Sequence, residues 1–265
     1  MLSANLNQQF ISLCYSIYPK KITAPFIYND EQFFSYLKKN RLDDYFTIKY
    51  GQETQEYNQY KKNLISSLKL LKKILGNEPF IVIKTLSSYP HITSDLDVII
   101  KNKIPVSKIK KTNFPLKTDV NNRISWTEDE EISREFVWKN VEEYDFHGIK
   151  ILVPNPDLDV LIRLAHLPFE QAEIRLGELL HIYRQAKTVN WERLQKEAER
   201  NHWLKTFERV RLLLNKLHDG MFNKQRPIRF PYRLSFFLLV QAIIEKKAWR
   251  KIWGARYVIK NRLSS

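Results

Sequence analysis

The 265-residue chain is 43% hydrophobic and 13% aromatic, enough for a packed core, which excludes a wholly disordered protein. Its single cysteine, Cys14, excludes an intramolecular disulfide and an all-cysteine metal site. Lys and Arg number 44 against 29 acids, a formal +15; residues 221–265 hold eleven Lys/Arg and one acid, Glu245, and so carry +10 of it.

Taken in chain order, the opening MLSANLNQQF lacks a basic stretch followed by an apolar one, so no signal peptide is expected. Residues 1–60 are polar and aromatic with loose helical patterning. Over 57–75, Leu64, Leu68, Leu71, Ile74 and Leu75 recur at helical spacing with lysines opposite. Gly76-Asn77, followed by Pro79, predicts the end of that helix. Phe80 to Ile83 reads as a short buried strand, with further strands over 93–100, around 116–126 and at 149–153. Asn155-Pro156 predicts a helix start, with an Asn cap and Pro at the first helical position. Helix is then expected over 158–186, 191–217 and 234–259. The longest apolar run, 234–244, is too short to span a bilayer and contains Gln241, so a soluble, cytoplasmic protein without a membrane span is expected.

These elements predict an α+β fold. A helical N-terminal segment (1–76) precedes a small mixed β-sheet core (77–153), and a helical C-terminal region with a basic end follows (154–265).

The stretch TSDLDVII, 93–100, places Asp95 and Asp97 in an apolar strand. Period-two geometry sends both carboxylates to one face and Leu96, Val98 and Ile100 to the other. Two adjacent acids repel, and partial burial adds to that cost. A hard divalent cation such as Mg²⁺ or Mn²⁺, which prefers oxygen ligands, would explain the pair. On this reading the apo protein should tolerate Asp97→Asn without loss of stability. Asp119, in LKTDVNNRISW, is the best-placed third acid; the turn signal Asn121-Asn122 beside it supports a simple turn aspartate instead.

The run FIVIKTLSSYPHITSDLDVII gives a strand, a small-hydroxyl loop and a second strand bearing the acid pair. It resembles the core of the polymerase-β-like nucleotidyltransferase superfamily, and within it a group of uncharacterised prokaryotic nucleotidyltransferase-fold proteins. Lys84 matches that group's loop lysine, Tyr89-Pro90 its Tyr-Pro, Asp95-Leu96-Asp97 its acid pair, Asp119-Val120 its later Asp-hydrophobic step and His166 its helical histidine. Thr85 stands where the group has Gly, no glycine occurs between Gly76 and Gly148, and Asn121 replaces the group's His. The resemblance implies a nucleotidyltransferase core. In it Asp95, Asp97 and Asp119 would be catalytic and hold Mg²⁺ or Mn²⁺, with an NTP as substrate. Lys84, Thr85, Ser87 and Ser88 would contact its phosphates.

Other residues have plainer readings. His166, among apolar residues on a helix, reads as a core histidine, and His91 as an exposed loop residue. Glu170, Glu173, Arg175, Glu178 and Arg184 alternate in sign and read as a solvated, paired helix face. Trp249, Trp253 and Tyr257 form one helical stripe, facing either the core or a partner. In the second case Lys246, Lys247, Arg250 and Lys251 would grip phosphates. Residues 221–265 therefore offer a surface for RNA or DNA. Two functions follow: a Mg²⁺-dependent transferase of a nucleoside monophosphate to a hydroxyl acceptor, or an inactive nucleotidyltransferase fold that binds nucleic acid.

Overall fold

The computed structural model describes residues 37–38, 42–45, 54–86, 91–102, 109, 112–125, 129–169, 176–222, 241 and 244–245. Outside them lie Cys14, Ser87, Ser88 and, apart from 241, 244 and 245, the expected helix over 234–259 with its aromatic stripe.

Helix α1 (Gln55–Leu75) begins at Thr54, whose hydroxyl accepts from the Tyr57 amide at 3.0 Å. It buries Tyr60, Leu64, Leu68, Leu71 and Leu75, the apolar face seen in the sequence, and stops at Gly76, whose φ of +59° ends the helical path.

A five-stranded sheet follows in the order β3-β2-β1-β5-β4, built from β1 (Phe80–Ile83), β2 (Leu96–Ile100), β3 (Thr118–Asn121), β4 (Val141–Phe146) and β5 (Ile149–Pro154). The sheet is mixed. β1 runs antiparallel to β2 and parallel to β5, β2 runs parallel to β3, and β4 and β5 form an antiparallel hairpin. That hairpin turns at His147-Gly148, both at positive φ, with the Gly148 amide donating to Asp145 Oδ1 at 2.7 Å. β4 is absent from the sequence-based assignment because it is an edge strand exposed over most of its length, so its sequence VEEYDF shows no buried face.

Alternation along the strands divides the core. Phe80, Val82, Leu96, Val98 and Ile100 pack with the buried face of α1, whereas Ile81, Ile83 and Ile99 pack with the helices that follow the sheet. Asp97 therefore shares the face of Ile83 and Ile99, the side covered by those later helices.

Between β3 and β4, Ser133 caps the short α2 (Arg134–Lys139). Asn155 caps α3 (Pro156–Phe169), its Oδ1 accepting from the Leu158 amide at 3.0 Å, as the Asn-Pro pair predicts. The helix expected over 158–186 is described as α3 and α4 (Leu176–Gln185). That expected over 191–217 is α5 (Trp191–Arg200) and α6 (Leu204–Phe222). The interruption has a cause: His202 sits at φ +60° while Trp203 is fully buried and donates its indole N–H to the Glu131 carbonyl at 2.7 Å. Glu245 closes the N-terminus of α6, its carboxylate accepting from the Lys205 and Thr206 amides at 2.6 and 2.7 Å. Among the described residues no helix is long and apolar enough to cross a membrane.

Candidate metal centre

The parallel register of β2 and β3 sets Asp97 directly beside Asp119, and Asp95 lies at the entry to β2, two residues earlier. One carboxylate oxygen from each of Asp95, Asp97 and Asp119 lies within 4.8 Å of the others, the one such group among the described residues. Asp119 is thus part of the sheet and adjoins the acid pair. The donors are all oxygens, and the side chains are 27%, 19% and 44% exposed, so the cluster is open to solvent on one side. That all-oxygen donor set could hold a hard divalent cation.

Residues 92–95, leading into β2, are fixed by a relay. Tyr60 Oη lies 2.8 Å from Thr93 Oγ1, which donates in turn to the Asp95 carbonyl at 2.9 Å. The Ile92 amide donates to Asp44 Oδ2 at 2.8 Å, and the Ser94 hydroxyl to Asp95 Oδ1 at 3.1 Å.

Two lysines neutralise the acids. Lys84 Nζ lies 3.0 Å from Asp97 Oδ2, and Lys117 Nζ lies 3.2 Å from Asp119 and 3.8 Å from Asp95. The hydrogen bond to Asp119, with the charges of all three aspartates, holds the Lys117 amine above its ordinary pKa. Mutual repulsion of three bare acids, expected from the sequence, is therefore offset within the protein itself. Lys117 is a site residue that the sequence reading missed. Its signal was the spacing Lys117-x-Asp119, which places both side chains on one face of β3.

Lys84 has an unusual backbone. Its φ is +56°, and the Thr85 amide donates back to the Ile83 carbonyl at 2.6 Å, the three-residue bond of a γ-turn. Thr85 is buried. Its hydroxyl donates to the Ile83 carbonyl at 3.2 Å and accepts from the Asp97 amide at 3.3 Å, so it braces Asp97 from behind.

Behind the turn lies a buried charge network of Asp159, Arg163, Glu178 and His181, of which the sequence reading placed only Glu178, on a solvated face. Glu178 is buried and receives Arg163 Nη1 at 2.7 Å, so it does not belong to a solvated helix face. His91 is buried too, rather than exposed in its loop. Arg163 Nε donates to both Asp159 oxygens at 3.1 and 3.2 Å, and His181 Nε2 lies 2.5 Å from Asp159 Oδ2. Burial pushes the Glu178 and Asp159 carboxyls up, but neighbouring positive charge, Arg163 first, outweighs it and holds both below the carboxylate range. His166 is half-buried on α3. The signal for this network was Asp159 and Arg163 four apart inside the apolar run LDVLIRLAHL, where unpaired charges would be costly.

The chain matches no protein-family model, no curated protein and no solved structure.

Proposed function

We propose that this protein is a divalent-metal-dependent nucleotidyltransferase that moves a nucleoside monophosphate from an NTP to a hydroxyl acceptor. One observation carries the reading: three partly exposed carboxylates, two contributed around β2 and one by the adjacent β3, converge within 4.8 Å of one another. Asp95, Asp97 and Asp119 would hold Mg²⁺ or Mn²⁺, whose charge would neutralise the phosphates and lower the pKa of the acceptor hydroxyl. The acceptor oxygen forms a bond to the α-phosphorus, the bond from that phosphorus to the bridging oxygen breaks, and pyrophosphate leaves with the electron pair. Asp119, the most exposed of the three, takes the hydroxyl proton. Lys84 and Lys117, released from their carboxylates, face the phosphates.

A second reading has its own support. Thr85 spends its hydroxyl on Ile83 and Asp97, and the turn has no glycine to let a backbone approach phosphates. An inactive nucleotidyltransferase fold that binds RNA or DNA would need neither feature.

Calorimetric titration with Mn²⁺ separates the two. The transferase should bind Mn²⁺ and lose that binding in Asp97→Asn; absence of Mn²⁺ binding by the parent chain would leave the second reading. Incubation with each labelled NTP, Mg²⁺ and a fractionated cell extract would then name the acceptor, since label should enter one fraction only.

A further inference from the structure

The Lys84 turn is held in place from α3, on the side of the sheet that the later helices cover. A lysine at positive φ is disfavoured by its own Cβ, and it persists only where surrounding structure fixes it. Closing the γ-turn uses the Ile83 carbonyl and leaves the Lys84 carbonyl to find a donor elsewhere. Arg163 supplies one: its Nη2 donates to Lys84 O at 3.3 Å. The guanidinium has little freedom to do anything else. It is 1% exposed, with Nε on Asp159 and Nη1 on Glu178, so its third nitrogen is aimed by two buried carboxylates.

We infer that Arg163 is a positioning residue: anchored on Asp159 and Glu178, it grips the Lys84 carbonyl and so sets the turn that delivers the Lys84 amine to Asp97. This role at a metal centre rests on the reading proposed above, but the grip itself does not. The same turn also sets Thr85, whose hydroxyl receives the Asp97 amide, so one guanidinium governs both supports of the central aspartate. The three-way grip needs the planar fork of arginine. A lysine at 163 keeps the buried positive charge, but a single ammonium cannot serve Asp159, Glu178 and the Lys84 carbonyl in their present places.

The test is the acylation rate of each lysine in the full chain, read by mass spectrometry after brief exposure to an amine-specific reagent. In the parent, Lys84 should react slowly, because its amine is mostly covered and paired, while the exposed lysines of α1, Lys62, Lys69 and Lys73, react fast. In Arg163→Lys, Lys84 should react about tenfold faster, the weight of one charge-assisted hydrogen bond, and match Asp97→Asn, while the lysines of α1 stay unchanged. Glu178→Gln, which keeps the side-chain volume and loosens only one anchor, should give an intermediate rate, and it carries the test if Arg163→Lys fails to fold. Lys84 remaining as slow as in the parent in whichever variants fold would overturn the inference and leave Arg163 a purely structural ion-pair partner. The Mn²⁺ titration of the parent decides the metal reading separately: the metal centre could fail with Lys84 still released in Arg163→Lys, or stand with Lys84 unmoved.

Discussion

Asp97 is gripped from three directions: its carboxylate by Lys84, its amide by the Thr85 hydroxyl, and its backbone by strands on both sides. Considered as one of three bare acids, it should be replaceable by Asn without loss. The 3.0 Å pair with a mostly covered lysine reverses that expectation. Asp97→Asn relieves repulsion from Asp95 and Asp119, which Lys117 already offsets, but it takes away the amine's carboxylate partner. The metal-free variant should therefore be less stable than the parent by about 1 kcal/mol, the scale of a partly buried ion pair, as measured by urea unfolding. A variant as stable as the parent would mean that Lys84 contributes nothing to holding the turn.

Among the elements, the α3–α4 pair buries Asp159, Arg163, Glu178 and His181, and its pH response follows from the sign of the shifts. Asp159 and Glu178 sit below the ordinary carboxylate range in the folded chain. Their contribution is thus complete above about pH 4.5, where unfolded carboxylates are ionised, and is lost as pH falls towards their folded values. The urea midpoint should drop steeply between about pH 4.5 and 2. In Glu178→Gln the drop should be shallower by about one proton, from a lower starting stability. These elements also show what a sequence can reveal. α1, β1, β2, β5 and the cap of α3 were legible because each has a period, a terminator or both. β4 was not, having no buried face, and the Asn201–Trp203 interruption was not, because a distant carbonyl at Glu131 fixes it. The acid triad was legible in residue type, since Asp-x-Asp on a strand has few inexpensive explanations. Lys84 was legible as a site lysine, but its pairing with Asp97, the second lysine Lys117 and the Arg163 fork were not, since they depend on which strands and helices become neighbours.

At the scale of the whole molecule the charge is +15, with +10 of it in residues 221–265. Were this end to bind a polyanion, counterion release would make the affinity fall steeply with salt. Neutralising Lys246, Lys247, Arg250 and Lys251 together should weaken RNA or DNA binding across sequences. The log-log salt slope should flatten by about one unit for each phosphate that these side chains no longer neutralise. Mn²⁺ binding at Asp95 should stay unchanged. Filter binding of the quadruple variant from low to high salt checks this; an unaltered slope would move any nucleic-acid site elsewhere.

Glu245 gives this architecture an order in time. Helix α6 has no acid in its own first turn, and the carboxylate that satisfies its leading amides arrives from about forty residues downstream. Forming that contact closes a loop of about forty residues, so the capping of α6 should come late in folding. A chain truncated before 245 should therefore show earlier hydrogen exchange at Lys205 and Thr206 than the full protein. Removing the cap should cost about 1 kcal/mol. A residue in the basic stretch thus caps a helix that packs against α3 and α4, the pair behind the acid cluster.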